Sequence, residues 1–258
     1  MRTRLIPQLI ALVILSLAAA APAQQGATAA EQSLFKSTNR HRLAHHLLPL
    51  SWNADLAQAA HNHALVIVQN PSPARHQYPG EPNLKTRADQ TGAHFGTISE
   101  NVAGNGTTAA EIDKAWMASP VHRANILDPH LNAVGIAVAE DHGYLYAVED
   151  FAMSVPTLSR GEVEDRVSRL LRARGIKSTT SRDSLEDARQ SCESDSSVSR
   201  VSATVMQWDG PDLTQLPDAV LQQVPVDKIY AVAVASCPTE RPAEGFTTFH
   251  VAVLIFRR

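Results

Sequence analysis

Aromatic residues are scarce, at 5% of 258. A carbohydrate-stacking platform draws on such rings, so that class of partner is disfavoured. Cysteine occurs only twice, as Cys192 and Cys237, and neither has a histidine close by in sequence. That argues against a zinc–thiolate site. No long run of one charge appears, and the net charge is −3. A nucleic-acid binder carries a basic face or tail, and none is visible, so nucleic acid is not expected as a partner. Glycine and proline, 12 and 15 residues, are too few for a collagen-like or low-complexity chain. Beyond the N-terminus, no stretch approaches the ~18 apolar residues that a membrane span requires. What is present is a 44% hydrophobic content, enough to bury a core.

The first residues read as a targeting segment. Arg2 and Arg4 give a positive start, Leu5 to Ala20 is mostly apolar, and Ala21-Pro22-Ala23 offers a small-x-small cleavage site. This is the pattern of a secretory signal peptide over residues 1–23, with a retained anchor helix as the alternative. Cleavage near Gln24 takes the net charge from −3 to −5. The expected location is secreted or periplasmic, with no transmembrane segment after cleavage. In that compartment an isolated cysteine pair reads as a Cys192–Cys237 disulfide.

The chain divides into two unlike parts. Ten of the 11 histidines lie between His41 and His142, whereas both cysteines lie later. Ser154-Val155-Pro156-Thr157 reads as a linker, since proline blocks regular pairing. The expected units are residues 31–153 and 158–258.

In the first unit a helix is expected from Glu31 to Leu47, ended by Pro49. Asn53 caps a second helix running to Gln69, with Leu56, Ala60, Ala64 and Ile67 as its buried stripe and His63 at the edge of it. A short helix is expected over 84–91. Thr108 and Glu111 form a T-x-x-E capping box for a helix that Pro120 ends. Val134, Ile136 and Val138 alternate with small residues, Asp141-His142-Gly143 supplies turn chemistry, and Tyr144 to Phe151 returns as a strand. In the second unit, helices are expected over 162–174 and 211–224, and strands over 201–208, 228–235 and 246–256.

Several segments of the first unit, taken in order, carry a family resemblance. They are Asn39-Arg40-His41-Arg42, Leu48-Pro49-Leu50-Ser51-Trp52-Asn53, Leu56-Ala57, His63-Ala64, His76 and Glu100-Asn101-Val102-Ala103. Trp116-Met117-Ala118-Ser119-Pro120, His122-Arg123-Ala124-Asn125-Ile126-Leu127, Val134-Gly135-Ile136-Ala137-Val138 and Glu149-Asp150-Phe151 follow. The unit resembles the CAP superfamily (cysteine-rich secretory proteins, antigen 5, pathogenesis-related 1) in its bacterial SCP-domain form. The resemblance implies an α+β fold, an α-β-α sandwich with a central cavity. A small α/β C-terminal domain of unknown role is expected to follow it.

Members of that family often present two histidines and two glutamates in the cavity. The resemblance places these on His76, Glu100 and His122, with Ser119 where many eukaryotic members have the second glutamate. Val121 stands where glycine is usual. Two imidazoles suit a divalent cation such as zinc, with Glu100 orienting one ring or holding a metal-bound water. The competing reading is a metal-free polar network. Ser119 and His122 as a nucleophile pair are disfavoured, because Pro120 interrupts the helix and no G-x-S-x-G elbow surrounds the serine. Ser119 is expected instead to bond nearby backbone. His63 reads as a hydrogen-bonded core residue, and His41, His45 and His46 as solvated. Arg123 and Asn125 are expected to tie their segment to neighbouring backbone. The sequon Asn105-Gly106-Thr107 carries weight only in a eukaryotic secretory pathway.

The resemblance, with its widely reported lipid and sterol binders, favours a non-catalytic module binding a small apolar molecule, a lipid, a divalent ion or a peptide. Docking of the C-terminal unit onto an envelope component is a further possible role. The alternative is an extracellular metal-assisted or Ser/His hydrolase of peptide or ester bonds. There Glu100 would act as general base, with His76 and His122 as metal ligands and Ser119 close by.

Overall fold

The computed structural model describes residues 26–70, 73–179, 181–192, 203–223, 229–238 and 246–257. The expected signal peptide lies outside them.

The first unit contains α1 (Ala29–Ala44), β1 (Ser51–Trp52), α2 (Ala54–Gln69), α3 (Leu84–Gln90), β2 (Phe95–Gly106), α4 (Ala109–Ala118), α5 (Pro120–Ile126), β3 (Ala133–Asp141) and β4 (Tyr144–Ser154). Its sheet has the order β1-β3-β4-β2. Only β1 runs parallel to its neighbour β3. Apolar residues of α1, α4 and α5 cover one face, with Leu34, Trp116 and Ile126 against Val134, Ile136 and Phe151. Helix α2 covers the other, with Ala60, Ala64 and Ile67 against Val102, Ala137 and Val148, and Ala88 of α3 joins Leu56 there. This is the α-β-α sandwich.

Local chemistry sets the element ends. Helix α1 starts at Ala29, ahead of the expected Glu31, because Thr28 and Glu31 close a capping box. It stops at Ala44, short of Leu47, where His46 turns left-handed (φ 61) and Leu47 N–H reaches the Arg42 carbonyl at 2.9 Å. Asn53 caps α2 as expected, its side chain accepting from Leu56 N–H. Pro120 both ends α4 and opens α5 at its first turn. His122 to Asn125 are therefore helical. Gly135 is required by packing: a Cβ there would lie 2.0 Å from Ala57 N, because α2 presses its backbone onto β3.

Strand β2 has no counterpart among the strands expected from sequence. Its run Phe-Gly-Thr-Ile-Ser-Glu-Asn-Val-Ala-Gly-Asn-Gly lacks clean alternation, and only pairing with β4 reveals it.

The second unit contains α6 (Arg160–Ala173), α7 (Arg182–Gln190), β5 (Ala203–Gly210), α8 (Asp218–Gln223), β6 (Ile229–Cys237) and β7 (Phe249–Arg257). Its antiparallel sheet has the order β5-β7-β6. Val163, Val167 and Leu171 of α6 pack on one face with Val220 of α8, and Ala188 of α7 packs on the other. The central strand is buried on both faces, from Val251 to Ile255. The helix expected over 211–224 is confined to α8, since Asp212 forms a side-chain turn with Thr214 N–H and Pro217 precedes the helix. Helix α7 was not expected: its polar sequence leaves only Ala188 buried. Cys192 and Cys237 are disulfide-bonded. The two units meet where Thr247 N–H donates to the Phe95 carbonyl at 2.9 Å and Phe246 packs edge-on against Phe95.

Arg42 shows what the opening N-x-x-R does. The guanidinium, 1% exposed, donates to the carbonyls of Leu48, Ile126, Asp128 and Leu131 at 2.8–3.2 Å. Asn39 exchanges two bonds with the backbone of Leu50. Together they lock the end of α1 to α5 and to the segment leading into β3.

Arg42→Met is expected to destabilise the protein by about 3 kcal/mol or more, since buried acceptors lose their donors. The exposed Arg40→Met should stay within about 0.5 kcal/mol, and urea unfolding of both variants checks this. Reducing the disulfide, whose cysteines are 45 residues apart, should lower stability by about 4 kcal/mol on the chain-entropy account. Denaturant midpoints with and without a reductant measure that loss.

Candidate functional site

The pairing of β2 with β4 builds the site. Glu100 lies directly across from Asp150, and Asn101 across from Glu149. Successive residues of a strand face opposite ways, so each face of the sheet receives one carboxyl group from β4. Asp150 and Glu100 lie on the α2 side, and Glu149 and Asn101 on the α1 side.

On the α2 side, Glu100 is 6% exposed and both its oxygens are engaged. Oε1 accepts from His76 Nδ1 at 2.9 Å. Oε2 accepts from Arg87 Nη2. The carboxylate fixes the His76 proton on Nδ1 and leaves Nε2 free, and the His76 side chain is 59% exposed. Arg87, on α3, also donates to the carbonyls of His76 and Pro82, tying down the segment that carries His76.

His63 lies behind this group, fully buried, as a hydrogen-bonded core residue. Nε2 faces the Arg75 carbonyl at 2.9 Å and must donate. Nδ1 faces Glu81 Oε1 at 2.6 Å, so one proton lies between imidazole and carboxylate.

His122 comes from α5. Its carbonyl accepts from Asn101 Nδ2 at 3.2 Å, and Asn125 Nδ2 donates to the Glu100 carbonyl and to Asn101 Oδ1. Burial holds the pKa of His122 below its ordinary value, and the His76 charge adds to this. The Glu100 hydrogen bond raises that of His76. Two neighbouring imidazoles are thus pushed in opposite directions, one toward the charged form and one toward the neutral.

Of the four residues singled out from sequence, His76 and Glu100 are in direct contact, and His122 is coupled to His76. Ser119 sits between α4 and α5 and, unlike the expected helix-end serine, makes no side-chain capping hydrogen bond. His41 is not merely solvated: its Nε2 meets the Asp113 carboxylate at 3.0 Å. Arg123 donates to the Met117 carbonyl, as expected. Among the described residues, no group of three or more His, Cys, Asp or Glu is placed to hold a metal ion. A cation at His76 and His122 would therefore take two protein ligands, and its fit rests on two features. The Nε2 of His76 is free, and His122 is biased to the neutral form that ligation needs.

Sequence reasoning passed over Arg87 and Glu81, whose role depends on the α2–α3 fold. Asp150 and Glu149 did carry a signal. Two adjacent acids in an apolar strand must project to opposite faces, and here both faces are buried.

Residues 35–151 match the family model described as CAP, the cysteine-rich secretory protein family. The protein YkwD of Bacillus subtilis is 29% identical over 118 residues, covering 46% of each chain. The chain thus spans about half the length of that curated relative. Among solved structures, an extracellular SCP-domain protein of Bacillus anthracis is 24% identical, with a TM-score of 0.45, covering 48% of this chain and 40% of the other. An outer surface protein of Borrelia burgdorferi is 17% identical, with the same TM-score of 0.45, over 48% of this chain and 92% of that one. Residues 35–151 thus carry a domain similar to those of the cysteine-rich secretory protein family.

Glu149 offers a test of the interior. It is fully buried, accepts from Thr38 Oγ1 at 2.7 Å, and burial raises its pKa from 4.5 to about 8. The folded state then keeps a proton that the unfolded chain has lost. Stability is full below pH 4.5 and falls until about pH 8. The expected slope approaches about 1.4 kcal/mol per pH unit. Glu149→Gln should flatten that decline, which denaturant unfolding across the pH range measures.

Proposed function

We propose that this is an exported, non-catalytic binding module whose ligand is met by His76 and His122. One observation carries the reading: both oxygens of Glu100 are already taken, by His76 and Arg87. A general base must lie within hydrogen-bond reach of the attacking group, whereas Glu100 is 6% exposed and already bonded at both oxygens. Glu100 instead orients His76, as outer-shell carboxylates orient ligating histidines. Export is supported by the disulfide, which persists in oxidising compartments. No described helix is long and apolar enough to cross a membrane. The ligand class favoured is one that accepts two imidazoles, with a divalent cation such as zinc as the first probe; apolar and peptide ligands remain in the same reading.

Calorimetric titration of zinc into the full chain should show binding that His122→Ala weakens by at least about tenfold, as expected for loss of one of two ligands. Turnover of generic ester or peptide substrates, abolished by Glu100→Gln, would overturn the reading in favour of a hydrolase.

A further inference from the structure

Asp150 is a buried carboxyl group that the site, as described so far, does not use. It is 0% exposed, and neither of its oxygens has a hydrogen-bond partner. Buried polar groups are almost always satisfied, so an orphaned carboxyl calls for a reason. Its neighbours supply one. Directly across on β2 is Glu100, and directly across on β3 is Gly135, which has no side chain. On the helical side stand Arg87 of α3 and His63 of α2, the latter 3.9 Å from Glu100 Oε2. Between those helices lie Glu81 and His76.

The charges of this group nearly cancel without Asp150. His63 and Glu81 share one proton and are neutral as a pair. Arg87 cancels Glu100. His76, largely exposed, is screened by water. An ionised Asp150 would be a surplus buried anion beside another carboxylate, and two such groups have no donor to offer each other. A protonated Asp150 has an O–H, and Glu100 has lone pairs to spare.

We propose that Asp150 holds a proton in the folded protein and donates it as a hydrogen bond to Glu100, making Asp150 a positioning residue for the His76 imidazole. Glu100 then has three donors: His76 Nδ1, Arg87 Nη2 and the Asp150 hydroxyl. Burial and the Glu100 charge both push the Asp150 pKa well above 3.8, in agreement with the geometry. The proposal rests on the reading of His76 as a ligand-contacting group only for its functional consequence.

Asparagine has the same shape, no charge and an N–H to give, so Asp150→Asn should keep the site, whereas Asp150→Ala should not. Three measurements on the full chain test this. The infrared difference between wild type and Asp150→Asn at neutral pH should contain the carbonyl band of one protonated carboxylic acid; Glu149 is common to both and cancels. Above pH 3.8 the unfolding constant of wild type should rise relative to Asp150→Asn, by about tenfold per pH unit. Zinc affinity should survive Asp150→Asn and fall about tenfold in Asp150→Ala. A missing acid band, or parallel stability curves for wild type and Asp150→Asn, overturns the proposal. If wild type binds no zinc, the metal probe fails, while the infrared and stability arms still decide the state of Asp150.

Discussion

The register between β2 and β4 is the constraint on which the site depends. It sets Glu100-Asn101 against Glu149-Asp150, residue for residue. Because side chains alternate, this one pairing sends a carboxyl group from β4 into each of the two layers beside the sheet. Each layer answers differently. On the α1 side, Glu149 is met by the neutral donors Thr38 and Asn101, and burial favours its protonated form. On the α2 side, Glu100 is met by a full cation and an imidazole, and stays in place to orient His76. A slip of one residue would exchange the two sets and leave each acid facing the wrong partners.

Much of the first unit was legible in the residues. Helix α2 announced itself through Asn53 and its apolar stripe, α4 through the T-x-x-E box, and the β3–β4 hairpin through its turn residues. These are local signals, readable within a dozen positions. What was not legible is long-range. Strand β2 has little alternation of its own and exists through its partner. Helix α7 has one buried residue and no stripe to read. At the site, the ordered motifs pointed to His76, Glu100, Ser119 and His122, of which His76 and Glu100 are in direct contact. Arg87 was invisible because an arginine on a short polar helix looks like a solvated one. Only folding puts its guanidinium against Glu100 at 4% exposure.

The choice of arginine there has a chemical reason. Its fixed fork reaches the backbone carbonyls of His76 and Pro82 with one nitrogen and the Glu100 carboxylate with another. A lysine would give the charge as a single point and could not span both. The same residue therefore neutralises the carboxylate that orients His76 and anchors the backbone from which His76 projects. The site's geometry and its electrostatics are set by one side chain.

This explains how a site can be exposed and still well defined. His76 reaches solvent from an irregular segment between two helices, where mobility would ordinarily blur its position. Its backbone is held by Arg87, its Nδ1 by Glu100, and Glu100 itself by its place in the sheet. His122 is referenced to the same strand, because the next residue, Asn101, bonds the His122 carbonyl. The His76 ring and the His122 backbone, 46 positions apart, are thus held by adjacent residues of one strand. The Glu100-Asn101 dipeptide therefore links the two segments that carry these histidines.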